Sequence, residues 1–275
     1  MNHPRIRLIL GACALATCSI ASAVVTRHDV ASERYVVAAS AFPQLVDMPG
    51  VGHGVLIAPD WVVTAAHTIQ GEVRAVTIAG QERAVARVVV HPGYRAMPQD
   101  MIDRALASQD GTEAMAFLTA NHDIALLRLR APVSDVRPIP IYTGGKEMGR
   151  VVELVGKGAT GTGLTGVAPD SPQRGTLRRG YNRIDRVEDR WISVTFDRGR
   201  KAHRLEAMSG SGDSGGPLLL RQGGRMMLAG LTSWQNGNPD LGQPPSRYGQ
   251  GTVAVRLSHY AGWIAEVQAQ AEPAA

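Results

Sequence analysis

Short apolar runs separated by turn residues dominate the chain. In the first half these are Val55–Ala58, Trp61–Thr64, Val73–Ile78, Val85–Val90 and Ile124–Leu129. In the second they are Val151–Val155, Trp191–Phe196, Pro217–Leu220, Met226–Leu231 and Thr252–Val255. Several are rich in β-branched residues, and Gly, Pro, Asp or Asn bounds most of them, which predicts short strands. Many such strands at roughly even spacing predict a barrel or a sandwich. Two stretches break the pattern. Residues 96–121 interrupt the strands and suggest a helical turn or two. The segment VRLSHYAGWIAEVQAQ places Leu257, Tyr260, Ala261, Ile264 and Val267 near helical spacing, which predicts an amphipathic helix packed on the body.

The 275 residues suffice for one large β domain or two smaller ones. Few aromatics and plentiful Gly and Pro agree with strands and turns. The formal charge of +5 comes from scattered arginines without interleaved stacking aromatics. That pattern is a solvated surface and excludes a nucleic-acid partner. No metal-ligand cluster or cofactor motif stands out. Asp185, Glu188 and Asp189 have the chemistry for calcium but read as a solvated acidic turn.

The N-terminus has the three parts of a secretory signal: Arg5 and Arg7, then apolar Leu8 to Ile20, then Ala21-Ser22-Ala23. The apolar stretch is too short to span a membrane comfortably. A cut after Ala23 removes Cys13 and Cys18, leaving a cysteine-free chain of formal charge +3. Export to a periplasmic or secreted location follows, with lipid attachment at Cys13 or Cys18 as the lesser alternative.

Three short motifs carry chemistry: Thr64-Ala65-Ala66-His67, His122-Asp123-Ile124-Ala125-Leu126 and Gly212-Asp213-Ser214-Gly215-Gly216-Pro217. Singly, each has a dull explanation as a core histidine, a turn cap and a tight glycine loop. Together they supply what amide hydrolysis requires: a nucleophile, a base and a carboxylate that orients the base. Glycines around Ser214 let its hydroxyl project, and the N–H groups of Gly212 and Ser214 suit an oxyanion site.

These motifs, in the order His67, Asp123, Ser214, resemble the chymotrypsin-like (trypsin-fold) serine peptidases. The spacings are 56 and 91 residues. The first is long for the family, and 96–121 is the natural place for the excess. His91-Pro92-Gly93-Tyr94, Gly156-Lys157-Gly158, Ser233-Trp234 and Tyr260-Ala261-Gly262-Trp263-Ile264 extend the resemblance, with lysine replacing the tryptophan of the family's Gly-Trp-Gly turn. The resemblance implies an all-β fold of two antiparallel six-stranded β-barrels with a C-terminal amphipathic helix. The expected organisation is a signal at 1–23, a first barrel at 24–140, a second barrel plus helix at 141–270 and a flexible tail at 271–275.

By the same resemblance His67, Asp123 and Ser214 are catalytic. Met208, Ser209, Ser211, Ser233, Trp234 and Gln235 bind substrate, with Met208 at the pocket floor and Gln235 narrowing the entrance. Met208 is not acidic, so a small or apolar residue is expected before the cut bond. Asp213 is expected to pair with a newly freed N-terminus. Val24 lies 43 residues before His67, where that terminus belongs, although Thr26-Arg27 replace the usual glycines. The implied protein is an exported serine endopeptidase acting on proteins or peptides. No cofactor and no stable membrane partner are expected, and the chain is expected to be a monomer. A non-catalytic binding module of the same fold, or an esterase using the same triad, are the alternatives. A stress protease in the style of the HtrA family fits less well, because Asp213 stands where that family usually has asparagine.

Overall fold

The computed structural model describes residues 24–168, 170–171, 175–236 and 245–270. The expected signal, both cysteines and the C-terminal tail lie outside the described residues. A short strand, β1 (Val24–Thr26), opens the chain. The first barrel uses β2 (Leu45–Asp47), β3 (His53–Ala58), β4 (Trp61–Thr64), β5 (Ala75–Ile78), β6 (Gln81–Val90) and β7 (Ala125–Leu129). It closes in the order β2-β3-β4-β7-β6-β5 with antiparallel pairings. Between β6 and β7 stand two helices, α1 (Gln99–Ser108) and α2 (Thr112–Ala120).

The later strands are β8 (Val151–Gly156), β9 (Thr160–Thr162), β10 (Gly166–Val167), β11 (Arg178–Val187) and β12 (Trp191–Thr195). They continue with β13 (Ala207–Met208), β14 (Pro217–Gln222), β15 (Arg225–Asn236) and β16 (Gly251–Arg256). A second closed barrel takes six of them in the order β11-β12-β16-β15-β14-β8. The other three join the first strand in a small sheet, β10-β9-β1-β13. Helix α3 (Leu257–Ala269) completes the all-β double-barrel architecture. Among the described residues no helix is long and apolar enough to cross a membrane.

The continuous apolar runs have a packing cause. Val62 of β4 and Leu127 of β7 fill the first barrel with Leu56 and Ile78. Their neighbours Val63 and Leu126 face outward but still lie buried, against Val155, Leu219, Leu231 and Val255 of the second barrel. These strands are therefore covered on both faces, and the usual alternation disappears. Fully burying each such side chain contributes about 1.5–3 kcal/mol. Leu257, Tyr260 and Ile264 of α3 join the same inter-barrel cluster, which seats the closing helix on the body.

The insertion forms two whole helices where the sequence suggested a turn or two. Its residues bury little, so polar contacts define it. Arg104 pairs with Asp100 at 2.6 Å within α1 and with Glu113 at 3.2 Å across to α2. The far end of the hairpin is tied down by Asn121, whose amide exchanges hydrogen bonds with the Arg95 backbone at 2.9 and 2.8 Å.

Candidate active site

Strand pairing brings His67 and Asp123 together. β4 and β7 are antiparallel with Thr64 opposite Ala125, so the residues just after β4 and just before β7 emerge at the same end. His67 lies in a single 3-10 turn after β4. Its Nδ1 is 2.7 Å from Asp123 Oδ2, and its backbone N–H donates to Asp123 Oδ1 at 2.8 Å. Ser233 Oγ–H donates to the same Oδ2 at 2.5 Å. Asp123 is almost fully buried. Burial pushes its pKa upward, but the charge and hydrogen bonds of His67, with the Ser233 hydroxyl, hold it below the ordinary carboxylate value. Burial likewise opposes protonation of His67, yet the Asp123 carboxylate wins and raises the imidazole above 6.5. The pair thus fixes the ring with Nδ1–H toward Asp123 and Nε2 toward the cleft.

Ser214 lies in the loop between β13 and β14. The Ser214 carbonyl accepts the His53 N–H at 2.7 Å, and the next residue, Gly215, donates to the Thr232 carbonyl at 2.7 Å. His53 belongs to β3 beside β4, and Thr232 adjoins Ser233, so the segments carrying His67 and the Asp123 partner hold Ser214 from both sides. Among the described residues Ser214 Oγ and His67 Nε2 share no hydrogen bond. Such contacts commonly close only in the substrate complex. Gly212 has φ of 90°, a left-handed conformation that other residues adopt at a cost. Neither the Gly212 nor the Ser214 N–H is engaged within the protein among the described residues, so both are free to face an oxyanion.

Asp213, between them, points inward and is buried. Its Oδ1 accepts the Gly158 N–H and its Oδ2 the Gly210 N–H, each at 2.8 Å, and a further N–H comes from Val24. Burial still dominates and raises its pKa. Close approach explains the bare turn at Gly156-Lys157-Gly158. A Cβ at 156 would lie 2.1 Å from Asp213 Oδ1, and one at 158 would lie 2.6 Å from the Ser211 carbonyl. Val24 is buried in β1, which pairs antiparallel with β13 and parallel with β9.

Beside this loop lies the expected substrate pocket. Met208 is fully buried and packs with Val25 and Phe196. The Ser209 hydroxyl and N–H both engage Thr252 Oγ1, at 2.9 and 3.0 Å. Gln235 Nε2 donates to the Ser209 carbonyl at 2.8 Å, and Gln235 Oε1 accepts from Ser246 Oγ at 3.0 Å. Gln235 therefore bridges β15 to the Met208-Ser209 segment and to Ser246. Ser211 is exposed at the lip. Trp234 packs edge-on against Trp191 at 5.8 Å. A recess of about 220 Å³ opens next to His67, walled by Met97, Phe117 and Leu118 of the insertion and by Trp191 and Trp234.

Sequence reasoning missed Thr252, Ser246, Phe117 and Leu118. Thr252 and Ser246 approach from strands and loops far along the chain, and no local motif marks them. The chemistry of Asp185, Glu188 and Asp189 is taken up separately. Asp185 caps the Thr195 N–H, Glu188 pairs with Arg186, and Asp189 pairs with His259 and Arg190.

The trypsin family model matches residues 33–264, a span holding His67, Asp123 and Ser214. The chain belongs to the trypsin family of serine proteases. A curated relative, the serine proteinase stubble of Drosophila melanogaster, is 28% identical over 244 residues, covering 78% of this chain and 26% of that protein. The chain thus spans about a quarter of that relative's length. Among solved structures, neuropsin, a serine protease expressed in the limbic system of mouse brain, superposes with a TM-score of 0.63 at 21% identity. The match covers 85% of this chain and 98% of that one, and it establishes likeness of fold.

Proposed function

We propose that this chain is an exported serine endopeptidase in which Ser214, His67 and Asp123 act as the catalytic triad. The observation that carries the reading is the His67–Asp123 pair, 2.7 Å apart and buried on the carboxylate side, opening on the loop that bears Ser214. In this mechanism His67 Nε2 takes the proton from Ser214 Oγ as it attacks the scissile carbonyl. Asp123 keeps the imidazole in the right tautomer and stabilises the imidazolium. The oxyanion is met by the N–H groups of Gly212 and Ser214, each contributing about 3 kcal/mol in the transition state. His67 then returns the proton to the departing amine, and water, activated by the same base, hydrolyses the acyl-enzyme.

The residue before the cut bond is proposed to be small or apolar. The Gln235–Ser209 bridge and Thr252 occupy space a long side chain would need, and among the described residues the floor segment presents buried Met208 rather than a carboxylate to receive Arg or Lys. Gln235→Gly is expected to raise kcat/KM for Leu or Phe at that position, relative to Ala, roughly tenfold or more. Parallel turnover of peptides differing only there checks it. An unchanged ranking, or strong preference for Arg or Lys in the parent, contradicts this assignment.

Activation is proposed to follow from the cut after Ala23. Asp213 is buried, with three N–H donors but no salt-bridge partner among the described residues. An unpaired buried charge costs several kcal/mol. A free α-amine at Val24 supplies the missing cation where the Val24 N–H already lies. Val24 also holds φ of 64°, a strained conformation for a β-branched residue, and a chain starting at Val24 has no such torsion to satisfy. The protein beginning at Val24 is expected to react with a serine-directed fluorophosphonate much faster than one with a single added residue before it. Equal rates, or a natural mature start elsewhere, contradict the coupling of export to activation.

A further inference from the structure

We propose that Lys157 is a positioning residue: with Asp47 and His53 it clamps the turn that holds Asp213, and through Asp213 it sets the Gly212 and Ser214 N–H groups. The proposal rests on the serine-protease reading for its catalytic consequence, and on geometry alone for the clamp.

The turn Gly156-Lys157-Gly158 must stay bare at both glycines because Asp213 presses against it. Lys157 therefore carries the turn's one side chain, and every polar group of that residue is engaged. Its ammonium reaches Asp47 at 2.9 and 3.1 Å. Its N–H donates to His53 Nε2 at 3.3 Å, and its carbonyl accepts the Gly175 N–H at 2.6 Å. His53 Nδ1 lies 3.4 Å from Asp47 Oδ1, close to the carboxylate but without a well-aligned hydrogen bond. Asp47 and His53 belong to β2 and β3 of the first barrel, whereas the turn ends β8 of the second. The contacts are thus struts between barrels, on a half-buried charge pair at the edge of a recess of about 340 Å³.

From the turn the contact passes directly to the site. The next residue, Gly158, donates its N–H to Asp213 Oδ1 at 2.8 Å, and Ala159 donates to the Ser211 carbonyl at 2.5 Å. Asp213 stands between the two candidate oxyanion donors. The backbone of His53 grips the same loop from the other side through the Ser214 carbonyl at 2.7 Å. Asp47 is held ionised: burial pushes its pKa up, but the adjacent His53 ring and the hydrogen-bonded Lys157 ammonium bring it down to about 2. The first barrel thereby fixes both flanks of the loop, through an ion pair where the family's turn carries tryptophan.

The test compares Lys157→Met, Asp47→Asn and the charge-keeping Lys157→Arg with the parent. Because oxyanion donors act in the transition state, Lys157→Met and Asp47→Asn are expected to lower kcat at least tenfold on a peptide ester with KM little changed, and Lys157→Arg to recover most of it. Hydrogen–deuterium exchange on the resting protein is expected to quicken severalfold at residues 156–159 and 210–214 in the same two variants and not in Lys157→Arg. Exchange needs no substrate, so that arm judges the clamp even if the parent hydrolyses nothing. Exchange within twofold of the parent in Lys157→Met, or equal loss in Lys157→Arg and Lys157→Met, would overturn the proposal.

Discussion

Replacing Ser214 by alanine is expected to lower kcat on a peptide substrate by about a millionfold. The size follows from what the hydroxyl does in the proposed mechanism: it is the atom that forms the acyl bond. Rate does not fall to that of water, because the Gly212 and Ser214 N–H groups and the binding surface remain; a residual acceleration of about 10³–10⁴ is expected. His67→Ala is expected to cost about as much, and the double variant no more than either single one, since base and nucleophile act as a unit. Steady-state kinetics on the three proteins, with circular dichroism to establish that each is folded, checks the set. Additive losses would mean that His67 and Ser214 do not share one proton transfer.

Asp123→Asn is expected to cost about 10⁴ in kcat and to change the pH profile. Asp123 accepts from His67 twice, through Nδ1 at 2.7 Å and the backbone N–H at 2.8 Å, and from Ser233 at 2.5 Å. An amide in its place presents a donor to one of these partners, so the ring is held in the wrong tautomer or turned away. The sign of the pH effect follows from the shift. Asp123 raises the His67 pKa above 6.5 against the opposing effect of burial. Catalysis needs the neutral imidazole, so parent kcat/KM rises with pH through a midpoint above 6.5. Without the carboxylate only burial remains, and the midpoint is expected to move down. A profile that stays in place in Asp123→Asn would show that another group sets the acid limb.

The sequence was readable where packing is two-sided or periodic. Trp61–Thr64 matches β4 to the residue because both of its faces are buried. Four of the five apolar positions named for the closing helix, Leu257, Tyr260, Ile264 and Val267, are buried in α3. β11, by contrast, reads RRGYNRIDRV and gave no apolar signal. Its inward residues include Arg178, bonded to Ser32, and Asn182, bonded to the carbonyls of Thr195 and Ala207. Its alternation is real, but two of its inward side chains are polar, and Ile184 alone of its residues joins the buried members of the barrel's apolar core. The order and context of His67, Asp123 and Ser214 were plain from local motifs. The features that shape the cleft were not. Thr252 meets Ser209 across 43 residues, Lys157 meets Asp47 across 110, and such pairings exist only once the barrels have closed. The role of 96–121 stayed hidden for another reason: its helices are held largely by exposed ion pairs, which leave little hydrophobic period to read.

The central claim is peptide-bond hydrolysis by Ser214, and the most direct test is mass spectrometry of the products. The folded protein beginning at Val24 is incubated with a mixed peptide library beside its Ser214→Ala variant. The expected result is internal cleavage after small or apolar residues by the parent and an intact library with the variant. An intact library in both samples, or equal cleavage in both, would contradict it.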